Sequence, residues 1–167
     1  MSIHFNADEI FQMAEQIEKN GSAFYRRAAS LAARSITAEF FLKLAVMEDE
    51  HEKIFARMRA GLSEQERTTP VSDPEEQASL YLRAWADGQV FDVRTSPAER
   101  LKGKERVEDI LHMALGLEKD SIVFYLGMKE AIPQRLGRSK VDGIIKEEMR
   151  HIATLSRELE SLRHQPI

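Results

Sequence analysis

The chain has 167 residues, no cysteine and a formal charge of −4, from 24 Lys and Arg against 28 Asp and Glu. The absence of cysteine excludes disulfide scaffolds, thiolate zinc sites, thiol nucleophiles and iron–sulfur clusters, and the mild acidity gives no reason to expect a nucleic acid or an anionic membrane as partner. No apolar run approaches the roughly 20 residues of a membrane span, and no signal-peptide pattern is evident, so we expect a cytoplasmic protein.

Two pairs of long helices are predicted, because apolar residues recur at helical spacing on either side of a central stretch rich in Gly, Pro, Ser and Asp. Asn6 is the expected N-cap of the first helix, with Glu9 in the capping-box position, and Gly61 is the expected end of the second. In the fourth helix Gly143 indicates a close helix contact, since an interior glycine costs about 1 kcal/mol relative to alanine. The predicted helices cover residues 8–33 and 38–60 in the first pair (8–60), and 104–131 and 139–162 in the second pair (104–162).

The central stretch, residues 62–103, is predicted to be a crossover that contains one short helix over residues 74–86. Asp73 is its expected N-cap and Pro74 its first residue. Four helices with short, long and short connections indicate an all-α four-helix bundle, a single domain over residues 1–167, in which the second and third long helices run parallel. The crossover helix is expected to bury one stripe of side chains: Leu80, Tyr81, Ala84 and Trp85.

The two helix pairs resemble each other at an interval of 100 residues. In the first pair a Glu is followed seven residues later by a Tyr, and the next helix carries a Glu-x-x-His motif. The second pair repeats both features without a gap. A single Glu-x-x-His motif is weak evidence of a metal site, but the doubled pattern is much harder to dismiss. Its members are Glu18, Tyr25, Glu48 and His51 in the first pair, and Glu118, Tyr125, Glu148 and His151 in the second.

These residue types at this spacing point to a metal centre inside the bundle. Residues three apart lie on one helix face, so Glu48 and His51 can reach a single point in the core. A Glu from each of two helices and a Glu-x-x-His from each of the other two is the arrangement of di-iron and di-manganese carboxylate proteins. Four carboxylates also balance two divalent cations. The predicted ligands of two iron ions, of two manganese ions or of a mixed pair are Glu18, Glu48, His51, Glu118, Glu148 and His151.

Tyr25 and Tyr125 lie on the same stripes as the predicted ligands. Two interpretations remain open for them: core packing, or a hydrogen bond to a ligand carboxylate. A packing role is expected for Met47 and Met149, and the histidines without a spaced partner are expected at the surface: His4, His112 and His164.

At these residues the chain resembles a rubrerythrin-type member of the ferritin-like superfamily. The resemblance rests on residues 14–25 and on Glu48-Asp49-Glu50-His51, each repeated in the second half. It implies a four-helix bundle with a di-iron site. It also implies that Glu48 and Glu148 bridge the metals, that Glu18 and Glu118 are terminal carboxylates, and that His51 and His151 are terminal nitrogen ligands.

Two departures from that family bear on function. Full rubrerythrins carry a rubredoxin domain with four cysteines, and this chain has none, so electrons are expected from an external donor such as rubredoxin or a flavoprotein. The family's additional Glu, one turn before the third-helix ligand, is replaced by Leu115. Glu15 occupies the equivalent place in the first half and is a candidate for a fifth carboxylate, or else a solvated residue.

The function predicted from the sequence is that of a di-iron carboxylate oxidoreductase that reduces peroxide or dioxygen. One alternative is a ferroxidase or iron-handling protein, which would use the same six ligands. Another is a bundle that only binds a partner, and hydroxylation of an organic substrate also remains open. A homodimer is expected, because ferritin-like domains often pair through helix faces.

Overall fold

The structure is a computed structural model that describes residues 5–72, 77–86 and 96–164. Within these ranges the regular elements are helical, apart from a single β-bridge between Asn6 and Pro70. None of the described helices is both long enough and apolar enough to cross a membrane. The α-helices are α1 (Ala7–Leu31), α2 (Ser35–Ala60), α3 (Glu64–Thr68), α4 (Gln77–Ala86), α5 (Val107–Ala131) and α6 (Arg138–Arg163), with 3-10 turns at Pro97–Arg100 and Gln134–Leu136.

The predicted ends of the four long helices agree with the observed ends to within three residues. Asn6 caps α1 as predicted. Its side chain accepts a hydrogen bond from the Glu9 amide, and the Glu9 carboxylate accepts one from the Asn6 amide, both at 2.9 Å. Gly61 ends α2, also as predicted.

The helix directions follow from contacts between neighbours. α1 and α2 are antiparallel, since Arg59 bonds Asp8 at 2.9 Å and Ser22 bonds Asp49 at 2.6 Å. The connection between these two helices comprises only residues 32–34, and α5 and α6 are likewise joined by a short connection, residues 132–137.

α1 and α5 are also antiparallel, because Tyr25 contacts Glu118 while Tyr125 contacts Glu18. α2 and α5 therefore run in the same direction, as predicted for a bundle with one long crossover. The all-α bundle architecture is confirmed.

The apolar core consists of two clusters at opposite ends of the bundle. The first combines the N-terminal half of α1 with the C-terminal half of α5 and the start of α6, and the second combines the C-terminal half of α1 with the first half of α5 and the end of α6. The first includes Ile10, Phe11, Phe55, Phe124 and Val141, and the second includes Phe24, Phe41, Leu44, Leu111 and Leu155. Between the two clusters lies a layer of buried charged side chains, which forms the candidate site.

The prediction of the crossover helix was partly wrong. Leu80 was expected to be buried but is 60% exposed, whereas Leu82 is fully buried and joins the first apolar cluster. Tyr81 and Ala84 are half-buried. In a ten-residue helix the periodicity does not decide which face docks, and here contact with α5 decides it. Asp73, Pro74 and the side chain of Trp85 lie outside the described part of the chain.

Two further predictions were wrong. Gly143 is not at a close helix contact, because a Cβ atom there would meet nothing within 4 Å. Met47 and Met149 do not pack in the core, since they are 38% and 58% exposed. His112 and His164 are exposed, as predicted, while His4 lies outside the described residues.

Candidate metal centre

All six predicted ligands lie together in the layer between the two apolar clusters, and each is at most 4% exposed. Their ligand atoms form two groups, and within each group the atoms lie within 4.8 Å of one another. Both groups contain Glu48 and Glu148. Glu18 and His51 complete the first group, and Glu118 and His151 complete the second.

The shared carboxylates occupy the middle of the site. Nδ1 of His51 lies 2.9 Å from Oε1 of Glu148, and Nδ1 of His151 lies 3.0 Å from Oε2 of the same carboxylate. Glu148 thus presents one oxygen to each histidine. Glu48 approaches Nδ1 of His151 to 3.2 Å. The two imidazole rings are nearly parallel, with centroids 5.6 Å apart. This is the placement expected of bridging carboxylates between two metal positions, although the roles of the individual ligands stay a prediction.

Several buried atoms of the predicted ligands lack hydrogen-bond partners among the described residues. Seven buried side-chain nitrogen and oxygen atoms have none among the described residues, and six of them face one another inside the cluster. Burying uncompensated charge costs several kcal/mol per ion, so this constellation calls for cations. Imidazole and carboxylate donors suit iron or manganese. The seven atoms are Oε2 of Glu18, Oε1 of Glu48, Nδ1 of His51, both carboxylate oxygens of Glu148, and Nδ1 and Nε2 of His151.

Each tyrosine of the repeat donates its hydroxyl to a carboxylate of the other half. Tyr25 bonds Oε1 of Glu118, and Tyr125 bonds Oε1 of Glu18. Both tyrosines are buried and also contact aromatic rings. Tyr25 and Tyr125 therefore form the predicted hydrogen bonds to ligand carboxylates, and they also pack in the core. Each contact fixes one oxygen of a predicted terminal carboxylate.

The electrostatics show a cluster that holds protons when no cation balances it. Burial raises the pKa of Glu18, and the charges of Glu48 and Glu148 raise it further. Burial and the charge of Glu148 raise the pKa of Glu118 to about 8. Burial lowers the pKa of His51, but its contacts with Glu148 and Glu18 outweigh this and raise it to about 11. Burial likewise acts to raise the pKa of Glu148, but contacts with Glu118 and both histidines lower it overall.

Glu15, the candidate fifth carboxylate, belongs to neither group of ligand atoms. Its side chain is buried and lies 3.5 Å from the Arg59 guanidinium and 3.8 Å from the Lys19 ammonium. It is therefore not a solvated residue, and cations of the protein neutralise it.

One polar residue at the site was not predicted. Oε2 of Glu147 lies 2.7 Å from Nε2 of His51, on the ring edge that faces away from the ligand cluster. The repeat could not reveal Glu147, because the equivalent residue in the first half is Met47.

A small cavity reaches the cluster between α1 and α5. Its volume is about 10 Å³, which is room for one water-sized molecule. Gly21 keeps it open, because a Cβ atom there would lie 2.6 Å from Oε2 of Glu48. Glu48 and Glu118 form its inner wall, beside Ser121 and Tyr25.

Comparison with known proteins agrees with the architecture. A crystal structure from Thermotoga maritima matches with a TM-score of 0.73, over 94% of this chain and 96% of that one. The fold is ferritin-like. Sequence identity to that neighbour is 23%, and the neighbour is provisionally described as a ferritin-like diiron-carboxylate protein. No family model matches the sequence, and no curated protein matches it significantly. At this identity the likeness establishes the fold, and the site is argued from its own geometry.

Proposed function

We propose that the protein is a di-iron carboxylate oxidoreductase that reduces peroxide or dioxygen in the core of the bundle. The observation that carries this proposal is the convergence of buried carboxylates and histidines from four helices into two overlapping groups. Ligand atoms from three of these helices have no hydrogen-bond partner among the described residues. The diiron-carboxylate description of the structural neighbour supports the same metal. When bound, two ferrous ions would supply two electrons, which is enough to cleave the O–O bond of peroxide or to reduce dioxygen to the level of peroxide.

The chain itself provides the setting for that chemistry. Glu18 and His51 would hold one ion, Glu118 and His151 the other, and Glu48 and Glu148 would lie between them. The four carboxylates balance the charge of two divalent cations. The two apolar clusters on either side keep water out of this layer, which strengthens every charge interaction within it.

The hydroxyls of Tyr25 and Tyr125 fix the orientation of the terminal carboxylates. Burial, together with the charges of the nearby carboxylates, raises the pKa of both tyrosines, so both keep their protons and remain donors.

The size of the cavity supports a small oxidant. A space of about 10 Å³ beside Glu48 has room for about one water-sized molecule, which favours a small oxidant over a bulky organic substrate at this position. Because the chain has no cysteine, it holds no rubredoxin-type iron centre of its own. A separate donor, such as rubredoxin or a flavoprotein, would then return the electrons.

Anaerobic loading with Fe²⁺ tests the proposal. We expect about two iron ions per chain for the wild type and well under one for the double variant Glu48→Ala/Glu148→Ala. Glu50→Ala is the matched control, since it removes an exposed carboxylate from the same helix. Wild-type protein that holds well under one iron per chain, or a double variant that binds as much as the wild type, would refute it.

Rapid mixing of the loaded protein with peroxide or dioxygen then identifies the reaction. Oxidation that is faster with peroxide, followed through the absorbance of ferric iron, supports a peroxidase. Faster oxidation by dioxygen, with iron then released or stored in large particles detected by light scattering, would instead support the ferroxidase alternative.

A further inference from the structure

The two candidate metal positions differ at the outer edge of their histidines. Nε2 of His51 is 2.7 Å from the Glu147 carboxylate. Nε2 of His151 is buried and has no hydrogen-bond partner among the described residues. Both rings present Nδ1 to the ligand cluster, so the difference concerns only the nitrogen that faces outwards.

The internal repeat explains this asymmetry. Glu147 directly precedes Glu148, and the equivalent residue before Glu48 is Met47. Both side chains lie near the surface, since the Glu147 side chain is 43% exposed and Met47 is 38% exposed. A thioether is only a weak acceptor, so the first half offers His151 no carboxylate at this position.

A carboxylate at the outer nitrogen changes what the inner nitrogen can do. When a cation replaces the extra proton of His51, an Nε2–H that donates to Glu147 would keep the remaining imidazole proton on the outer edge and leave the Nδ1 lone pair directed toward Glu18 and Glu148. Such a partner fixes the ring orientation and makes the inner nitrogen a stronger ligand. Glu147 itself belongs to neither group of ligand atoms, so it acts only through His51.

The surroundings of Glu147 allow it to keep this contact. It lines a surface groove of about 260 Å³ between α2 and α6, together with Arg57 and Lys140. The second carboxylate oxygen can therefore stay hydrated near positive charge while the first bonds His51.

We propose that Glu147 is a positioning residue that makes the two metal positions unequal. The position held by Glu18 and His51 binds its ion first and about 10–100-fold more tightly than the position held by Glu118 and His151. This inference rests on the proposed metal pair and adds an order of filling to it.

Exchange of the two repeat-related residues tests the proposal. Apo-protein is titrated with Co²⁺, whose visible absorption reports binding. Crystals grown with one Co²⁺ per chain are then examined for anomalous scattering at each position. Wild type should bind in two separate steps, with the stronger peak beside His51. The variant Glu147→Met should merge the two steps, and the double variant Met47→Glu/Glu147→Met should move the stronger peak to His151.

Glu147→Gln serves as a second variant, since the amide oxygen can still accept from Nε2–H without the charge. It should retain the preference for His51 but with a smaller separation of the two steps, and far-ultraviolet circular dichroism checks that each variant is folded. Equal peaks in the wild type, or a double variant that still fills the His51 position first, would overturn the role of Glu147 and leave the metal pair intact. Failure of the wild type to bind Co²⁺ at all would overturn both proposals.

Discussion

Each predicted terminal carboxylate of the candidate site is held from the opposite half of the chain. Tyr25 of the first half donates to Glu118 of the second, and Tyr125 of the second donates to Glu18 of the first. Because both hydroxyls are buried, water cannot replace either contact. These bonds therefore tie α1 to α5 and orient two predicted ligands at the same time.

Removal of these hydroxyls should weaken metal binding without loss of the fold. We predict that Tyr25→Phe/Tyr125→Phe lowers Fe²⁺ or Co²⁺ affinity by about 10–100-fold, because each terminal carboxylate loses the donor that orients it. Calorimetric titration measures the effect. Tyr81→Phe is the control, since the half-buried Tyr81 donates its hydroxyl to the Val123 carbonyl, and neither residue belongs to the groups of ligand atoms. Unchanged affinity in the double variant would contradict this prediction.

The limits of prediction at this scale have a physical origin. The six ligands could be predicted because helical periodicity fixes which residues share a face, and the repeat states the pattern twice. The exchange of partners between Tyr25 and Tyr125 could not, since it depends on how α1 and α5 lie side by side. Glu147 could not be predicted from the repeat either, because Met47 breaks the pattern at that position.

At the scale of the helices, two interior glycines have opposite surroundings. A Cβ atom at Gly21 in α1 would lie 2.6 Å from a carboxylate oxygen of Glu48, whereas one at Gly143 in α6 would meet nothing within 4 Å. The sequence favoured Gly143 as the close contact, since a costly residue in a helix usually has a packing reason. The reason exists at Gly21, where α1 and α2 bring the backbone against a buried carboxylate.

The two glycines give a matched pair of alanine variants. Gly21→Ala should displace the Glu48 carboxylate and lower the metal content of the loaded protein below that of the wild type. Gly143→Ala should leave metal content unchanged and stabilise the protein by about 0.5–1 kcal/mol, because alanine is the better helix former. Metal analysis and denaturant unfolding measure the two effects. A Gly21→Ala variant with full metal content would contradict the crowding argument.

α4 shows why a short helix is harder to place than a long one. The apolar stripe of α1 runs over 25 residues and permits only one orientation of the helix against the core. α4 has ten residues, and its pattern permits burial of either Leu80 or Leu82. Docking on α5 buries Leu82 and leaves Leu80 exposed. This choice depends on the tertiary contact, which has no signal in the local sequence.

For the whole molecule, the exposed apolar side chains of α2 give the expected homodimer a surface. Leu42 and Val46 are one helical turn apart, so they share a face, and Ile36 and Met47 are also exposed. Single exposed apolar side chains are common, and it is a patch of adjacent ones that marks a protein contact. We propose that two copies pair through this face of α2.

Light scattering tests this pairing. The mass in solution should be twice the 19.1 kDa of one chain, and Leu42→Lys/Val46→Lys should return it to that of one chain, because charge on the face opposes its burial. Leu126→Lys, which changes an exposed leucine of α5, is the control. A monomeric wild type, or a double variant that still dimerises, would show that this face is not the contact.

The stability of the metal-free chain depends on the protons held in its cluster. Burial and the charge of Glu148 raise the pKa of Glu118 from 4.5 to about 8, and contacts with Glu148 and Glu18 overcome burial to raise the pKa of His51 from 6.5 to about 11. Between its unfolded and its folded pKa, each of these two groups therefore holds a proton in the folded chain that it has lost in the unfolded chain. Asp8 behaves in the opposite way. Its hydrogen bond from Arg59 lowers the pKa of its carboxyl, so the stabilisation that it gives the folded state is lost only in acid, as the pH falls through that pKa.

We predict that the free energy of unfolding of the metal-free protein falls as the pH rises from about 6 to about 9. Over this range the folded state still holds a proton on His51, and on Glu118 up to its pKa of about 8, whereas the unfolded state releases these protons at lower pH. Metal ions take the place of these protons, and metal affinity rises with pH as the competing protons leave. The difference in melting temperature between metal-loaded and metal-free protein should therefore widen from about pH 6 to about pH 9. Anaerobic calorimetry measures it, in buffers cleared of trace metals, with and without added Fe²⁺. The control is Glu48→Ala/Glu148→Ala, in which added metal should leave the melting temperature unchanged at every pH. A metal-free wild type that gains stability toward pH 9, or a difference that does not widen, would show that the buried cluster does not hold its protons as described.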